Sequence, residues 1–210
     1  MNGLASSGES DNFHIAGYAG TELGEVEVKA ALAYSYQMAD TERTVLGSRI
    51  KGDYGAHTIQ GSTEASMGFD MGDLTLTPFA GLSVVHIETE SFTETGGAAA
   101  LAISGTSNTT GVTTLGLRAR HEWETVDLFG SLAWRHAFGD IDPVSRAAFA
   151  SNPAAPFTIR GAALSEDVLA LGAGVEIELG TASVLELSYE GEFGEDARDH
   201  GLKAEISFRF

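Results

Sequence analysis

The stretch LALGAGVEIELGTASVLELSYEGEF, residues 169–193, decides the fold. Apolar residues recur at every second position in both halves of this stretch, and carboxylates, small residues and glycines fill the positions between them. Side chains that alternate in this way lie on opposite faces of a β-strand, so each half predicts a strand with one apolar and one polar face. The residues 180–182 between the two halves predict the turn of an antiparallel hairpin.

The same two-residue period recurs along most of the chain. It is clear in the segments 26–38, 59–69, 113–123 and 126–138, and less regular in 13–23 and 74–88. Strands of roughly ten residues exceed the five or six that are usual in soluble sheets, and they match the length that a tilted strand needs to cross a bilayer. Proline has no backbone N–H, so we expect Pro78 near a strand end or a bulge. With the last segment, the pattern predicts about nine strands.

The connections between these segments alternate in length. Short turns are expected near residues 23–25, 71–73, 124–125 and 180–181, and long links over 39–53, 89–110 and 139–163. Membrane barrels place short turns on the periplasmic side and long loops outside. The sequence therefore predicts an all-β protein, an antiparallel up-and-down transmembrane β-barrel.

The last segment of the chain carries its own pattern. One face of the predicted strand holds Leu202, Ala204, Ile206, Phe208 and Phe210. An alternating strand that ends on an aromatic residue resembles the assembly signal of outer-membrane barrel proteins, which the barrel-assembly machinery recognises. Addition of a strand to an exposed edge would supply the affinity, and the alternate side chains the selectivity.

Composition excludes several classes of protein. A formal charge of −18 disfavours binding to nucleic acid, because the field of the protein repels phosphate. The chain has no cysteine, so disulfides and thiolate metal sites are excluded. No apolar run approaches the roughly 18 residues of a membrane helix. The first residues, MNGLASSGESDN, lack the basic start and apolar core of a signal peptide, so we interpret the chain as a fragment of an exported protein.

Candidate chemistry is sparse. The six histidines show neither an HExxH motif nor paired ligand spacing, so no metal site is expected. Asp199 and His200 are adjacent, and neighbouring residues of a strand point apart, so a catalytic dyad is disfavoured against a surface loop. No nucleophile elbow and no dinucleotide fingerprint is present. We expect no catalytic residue and no cofactor.

Charged residues occupy the polar face of the predicted strands. On the inside of a barrel they would line a polar and mainly acidic lumen, in which they either face a polypeptide or pair with one another. The predicted pore-lining residues are Lys29, Glu64, Arg118, Arg120, Glu122, Arg135, Glu176, Glu178, Glu186 and Glu190.

Five segments together resemble the autotransporter β-domain. They are SDNFHIAGYAG (10–20), LTPFAGLSVVHIETESFTETGGAAAL (76–101), TLGLRAR (114–120), GSLAWRHAFGD (130–140) and DHGLKAEISFRF (199–210). The resemblance implies a barrel of roughly twelve strands with a helix threaded through its pore, and this chain would lack that helix and the first strands. It would consist of a tail or extracellular loop over 1–12 and the barrel over 13–210.

The resemblance also implies the function. The barrel would be the outer-membrane translocator and anchor for an N-terminal passenger, with outer-membrane lipid, the barrel-assembly machinery and its own passenger as partners, and it would not be an enzyme. Two alternatives remain open. One is another small outer-membrane barrel, porin-like or a barrel hydrolase, and the other is a soluble β-sandwich, which loop lengths sorted by side disfavour.

Overall fold

The computed structural model describes residues 6–180, 182–195 and 197–208. Within them the chain is almost entirely β-strand, and none of these residues forms a helix long and apolar enough to cross a membrane. The strands are β1 Ser6–Leu23, β2 Val26–Val45, β3 Ser48–Met67, β4 Phe69–Met71, β5 Leu74–Thr89, β6 Phe92–Thr93, β7 Leu101–Ile103, β8 Thr106–Glu122, β9 Val126–Gly139, β10 Val144–Phe149, β11 Asn152–Arg160, β12 Asp167–Glu178, β13 Ser183–Gly194 and β14 Arg198–Phe208.

Nine long strands form one antiparallel sheet in the order β1-β2-β3-β5-β8-β9-β12-β13-β14, and the short β4 also pairs with β5. Each of these long strands therefore lies beside the long strands that precede and follow it in sequence, as the up-and-down prediction requires. In the described part of the chain, β1 and β14 each pair on one side only. Every residue of these two strands is exposed to solvent, so they are the edges of the sheet.

The hairpin predicted over residues 169–193 is confirmed. Strands β12 and β13 pair antiparallel, with Leu169 opposite Phe193 and Glu176 opposite Glu186. Because the side-chain period of a strand is two, this register keeps the large apolar residues of 169–177 and 185–193 on one face and the carboxylates on the other.

The outward face is apolar and the sheet has little core. Leu32, Ile59, Leu115 and Leu132 are each at least half exposed. The buried hydrophobic residues are few and mostly alanine, among the residues that the structure describes. An apolar belt of this extent is not stable against water, and it suits a lipid solvent.

The prediction of a long link over residues 39–53 is wrong. Strands β2 and β3 continue through this segment and turn at Leu46 and Gly47, which both have positive φ, 51° and 79°. Two residues with positive φ form the tight turn that matches the twist of a hairpin. Leucine rarely adopts such a φ, so Leu46 is not a residue from which a turn would be predicted.

The predictions of the other two long links are also partly wrong. The segments 89–110 and 139–163 contain β6, β7, β10 and β11, which form a second sheet in the order β11-β10-β7-β6. Short pairings such as Ala147 with Ile103 hold this sheet together. Strands β6 and β7 have only two and three residues, and β10 and β11 contain adjacent alanines, so a two-residue period is not visible in the sequence.

Two boundaries also differ from expectation. Residues 6–12, expected in a loop, belong to β1, where Ser6 pairs with Arg43; the remainder of the expected tail lies outside the described residues. They are polar on both faces, so hydrophobic alternation could not reveal them. Pro78 lies within β5 and not at its end, and the neighbouring strand ends opposite it at Met67, because proline offers no N–H to that ladder.

Candidate functional site

The sheet curls around a charged concave face. One cavity of ≈ 660 Å³ is lined from β1 to β12 by residues that include Tyr18, Lys29, Glu64, Arg118 and Arg135. A second cavity of ≈ 550 Å³ shares Arg118 and Ser131 with the first and extends to β14. Strands β1 and β12 are six steps apart in the strand order and border the same cavity, so the sheet must be strongly curved.

All ten residues predicted to line a pore border a cavity of this sheet. Lys29, Glu64, Arg118 and Arg135 line the first cavity, and a third cavity of ≈ 300 Å³ is bordered by Glu176, Glu178 and Glu186. The second cavity accounts for the rest, which are Arg120, Glu122 and Glu190. Their position is a geometric result, and their part in transport stays a prediction.

Arg118 forms a bidentate ion pair on the concave face. Its Nη1 and Nη2 donate to Oε1 and Oε2 of Glu64, at 2.8 Å each, which joins β8 to β3 across β5. The guanidinium group also lies 3.8 Å from the ring centroid of Phe79 on β5. A bidentate pair stacked on an aromatic ring is a use that suits arginine and not lysine.

A second arginine repeats this arrangement closer to the turn between β8 and β9. Arg120 donates to Asp127 at 2.6 Å, lies 3.9 Å from Glu176, and is 5.7 Å from the ring centroid of Phe129. Arg135 pairs with Glu192, and the two side chains bridge β9 and β13 across β12. Arg120–Asp127 joins the adjacent strands β8 and β9, whereas Arg120–Glu176 and Arg135–Glu192 each connect strands that are separated by one other strand, so these two contacts brace the curvature of the wall.

The concave face keeps an excess of negative charge. Among the described residues, Glu122, Glu178 and Glu190 have no lysine or arginine nitrogen within 4.0 Å. Carboxylates without a partner need water, so this face is hydrated. A hydrated wall behind an apolar belt is the arrangement of a barrel with an aqueous lumen.

Sequence reasoning missed the aromatic residues on the concave face. Phe79 and Phe129 point inward beside the two arginines, although alternation is usually interpreted as aromatic-out. Each ring lies over a glycine on the neighbouring strand, Gly116 or Gly174, whose missing Cβ leaves room for it. Glycines on the polar face of long strands were the available signal.

The predicted assembly strand is the edge strand β14. Leu202, Ile206 and Phe208 are 87%, 51% and 62% exposed, and Ala204 lies between them on the same face. Phe210, the last residue of the predicted signal, lies outside the described residues. The structure therefore locates most of this face at the free edge, and its recognition by an assembly factor stays a prediction.

Two histidines make local contacts on the outward face. His57 Nδ1 lies 2.9 Å from the Tyr34 hydroxyl, and His136 Nδ1 lies 3.1 Å from Asp167, which also accepts from the Trp134 indole N–H. The residues that the structure describes include no group of three or more histidines and carboxylates arranged to hold a metal ion.

The sequence and the fold were both compared with known proteins. The family model described as autotransporter β-domain matches residues 1–190. Two relatives, both called extracellular serine protease and both from Serratia marcescens, are 32% and 31% identical over 99% and 100% of this chain. The match covers 21% of each relative, so the chain spans about a fifth of their length.

Two solved structures share the fold. The translocator domain of the autotransporter NalP from Neisseria meningitidis aligns with a TM-score of 0.64 and 17% identity, over 98% of this chain and 68% of that domain. The β-domain of the Bordetella autotransporter BrkA aligns with a TM-score of 0.59 and 19% identity, over 100% of this chain and 77% of that domain. At these identities the likeness is evidence of the fold alone.

Proposed function

Because this chain belongs to the autotransporter β-domain family, we propose that its charged concave face is the wall of the conduit through which a covalently linked passenger reaches the cell surface. The family, the all-β barrel fold and the location in the outer membrane agree with the expectations from the sequence. The chain is the translocator part of such a protein.

One observation carries the proposal. The polar side chains of the curled sheet face hydrated cavities that carry charges of both signs, and its apolar side chains face outward. A polypeptide in transit exposes backbone groups that must stay hydrogen-bonded, so it needs a wet path. A wall that carries both signs of charge can let polypeptides of many sequences pass without binding any of them tightly.

The protease activity in the names of the relatives belongs to whole proteins, of which this chain matches about a fifth. We propose export and anchoring for this chain and no catalysis. We also propose that its outward belt contacts outer-membrane lipid, because exposed Leu32, Leu115 and Leu132 would otherwise face water.

Adjacent residues with opposite orientation test the conduit. Ser131 lines both large cavities, and Leu132 is half exposed on the outward face. A photo-crosslinking amino acid is placed at one position or the other in the full-length protein, and the passenger is arrested by an engineered folded loop. We expect passenger adducts from position 131 and lipid adducts from position 132. Equal passenger adducts from both positions would contradict the proposal.

We propose in addition that the apolar face of β14 is read by the barrel-assembly machinery. Phe208→Ala removes a large apolar side chain from that face, whereas Ser207→Ala changes the opposite face of the same strand. We expect Phe208→Ala to reduce the amount of folded protein in the outer membrane several-fold. We expect Ser207→Ala to leave that amount nearly unchanged, as a neutral surface substitution would. Equal levels for both would count against the signal.

A further inference from the structure

The second sheet continues the barrel wall beyond the end of the long strands. Strand β6 follows β5, β7 precedes β8, β10 follows β9 and β11 precedes β12. The order β6-β7-β10-β11 in the small sheet therefore repeats the order β5-β8-β9-β12 in the large one. The two long links are extensions of four neighbouring strands, stacked on the same end of the sheet.

The small sheet is joined sideways to the extended tip of β2 and β3. The backbones of Lys51 and Thr95 exchange both hydrogen bonds, at 2.9 and 2.8 Å. The ring of Phe92 stacks on Tyr54 with centroids 4.7 Å apart, above Gly52, where a Cβ would collide with it. We call the joined unit the collar, which comprises residues 39–55, 90–105 and 140–160.

The collar has a core of its own. Five of the seven buried hydrophobic residues of the described chain lie in it, which are Ala39, Ile50, Ala100, Ala147 and Ala148. Ile50 is the only large side chain that is fully buried among the described residues. The lipid-facing part of the protein lacks such packing, so the collar is held together as a small soluble domain would be.

One ion pair crosses the joint. Arg43 on β2 donates from Nε to Oε1 of Glu94 at 3.0 Å and from Nη2 to Oε2 at 2.6 Å, and Nη2 also donates to the Ala99 carbonyl at 3.0 Å. The Leu101 N–H donates to Oε2 of Glu94 at 2.8 Å. Glu94 is only 8% exposed, and its hydrogen bonds with Arg43 lower its pKa below the usual range.

From this geometry we propose that the Arg43–Glu94 pair is the latch that fixes the two long links to the tip of β2 and β3 as one rigid collar. A carboxylate buried at a joint is costly unless its partner stays in place, so opening the joint must either hydrate Glu94 or leave it unpaired. The other charges at this joint, Glu42 with Arg49 and Lys51, are more exposed than Glu94, so their pairs contribute less.

Trypsin reports whether the collar is closed. Arg146 and Arg160 are exposed residues of β10 and β11, and cleavage there requires the local strand to detach. In the full-length protein, Glu94→Gln is expected to accelerate release of fragments that begin at Ala147 and Gly161 by about tenfold or more. The matched control Glu42→Gln removes ion pairs within the same tip whose carboxylate is half-buried and not buried, and its cleavage rate should stay within about twofold of the unchanged protein.

An engineered disulfide gives a second test within one molecule. Lys51 and Thr95 form a hydrogen-bonded antiparallel pair, whose Cα separation of about 5.5 Å suits a disulfide, and the chain has no other cysteine. In Glu94→Gln with Lys51→Cys and Thr95→Cys, we expect the oxidised form to resist trypsin as the unchanged protein does, and the reduced form to be cut rapidly.

Three results would overturn the latch. They are cleavage of Glu94→Gln at the rate of the unchanged protein, equal acceleration by Glu42→Gln, and equal cleavage of the oxidised and reduced disulfide variant. The last comparison uses the same polypeptide in both states, so a folding defect of the substitution cannot produce the expected difference.

Discussion

Leu171→Arg is expected to destabilise the membrane-embedded protein by about 2–4 kcal/mol, the cost of an arginine near the bilayer midplane on the lipid face of a barrel. Leu171 lies near the middle of β12 and beside Leu132, in a row of apolar residues that points outward. The variant is compared with the unchanged full-length protein in lipid vesicles by urea titration, with survival of the β-domain to protease as the readout.

Ala170→Arg is the matched control. Ala170 is the preceding residue, lines the large cavity, and lies opposite Glu192 on β13. An arginine there stays in water beside the exposed Arg135–Glu192 ion pair, so we expect a change within about 1 kcal/mol. If the two variants were equally destabilised, the assignment of the two faces to lipid and lumen would be wrong.

The strands that cross the lipid were predictable because a lipid solvent enforces a strict rule on their sequence. The pairing of Leu169 with Phe193 follows from alternation alone, since a shift of one residue would exchange the two faces. The same rule placed Arg118 and Glu64 on one face. It could not pair them, because they are 54 residues apart and separated by β5.

The collar was not predictable for the complementary reason. Outside the lipid no solvent enforces alternation, and the segments 89–110 and 139–163 have the composition of loops. The latch joins Arg43 to Glu94 over 51 residues, and no local sequence pattern pairs the two. The hairpin tip depends on Leu46 at a positive φ, a conformation that leucine rarely adopts and that therefore cannot be predicted from its presence in the sequence.

The inward position of the aromatic residues has a different explanation from those given for the lipid-crossing strands and for the collar. Phe79 would be expected outward on its type, but Gly116 provides a recess and Arg118 a cation over its ring, so the inward position is favourable. Glycine is therefore informative on the polar face of a strand in this sheet, because there it marks where a neighbour's ring is accommodated.

Gly116→Ala is expected to cost about 1–3 kcal/mol, although alanine is ordinarily the better residue in a strand. A Cβ at this position would meet the Phe79 ring at 2.5 Å and the Ala133 Cβ at 2.9 Å. The ring would have to leave its place beneath Arg118, which also disturbs the bidentate pair with Glu64. Gly17→Ala, where no atom lies within 4 Å of the added Cβ, should be near neutral in the same urea titration.

The double variant Gly116→Ala with Phe79→Leu separates crowding by the new Cβ from a cost of alanine at position 116 that is independent of Phe79. Phe79→Leu loses the ring and its contact with Arg118, so it is destabilising alone. If the ring is what the new Cβ displaces, Gly116→Ala costs less in the Phe79→Leu background, with a coupling of about 1 kcal/mol or more. Additive costs would mean that the recess does not hold Phe79, and that the contact with Ala133 or the strand backbone sets the penalty.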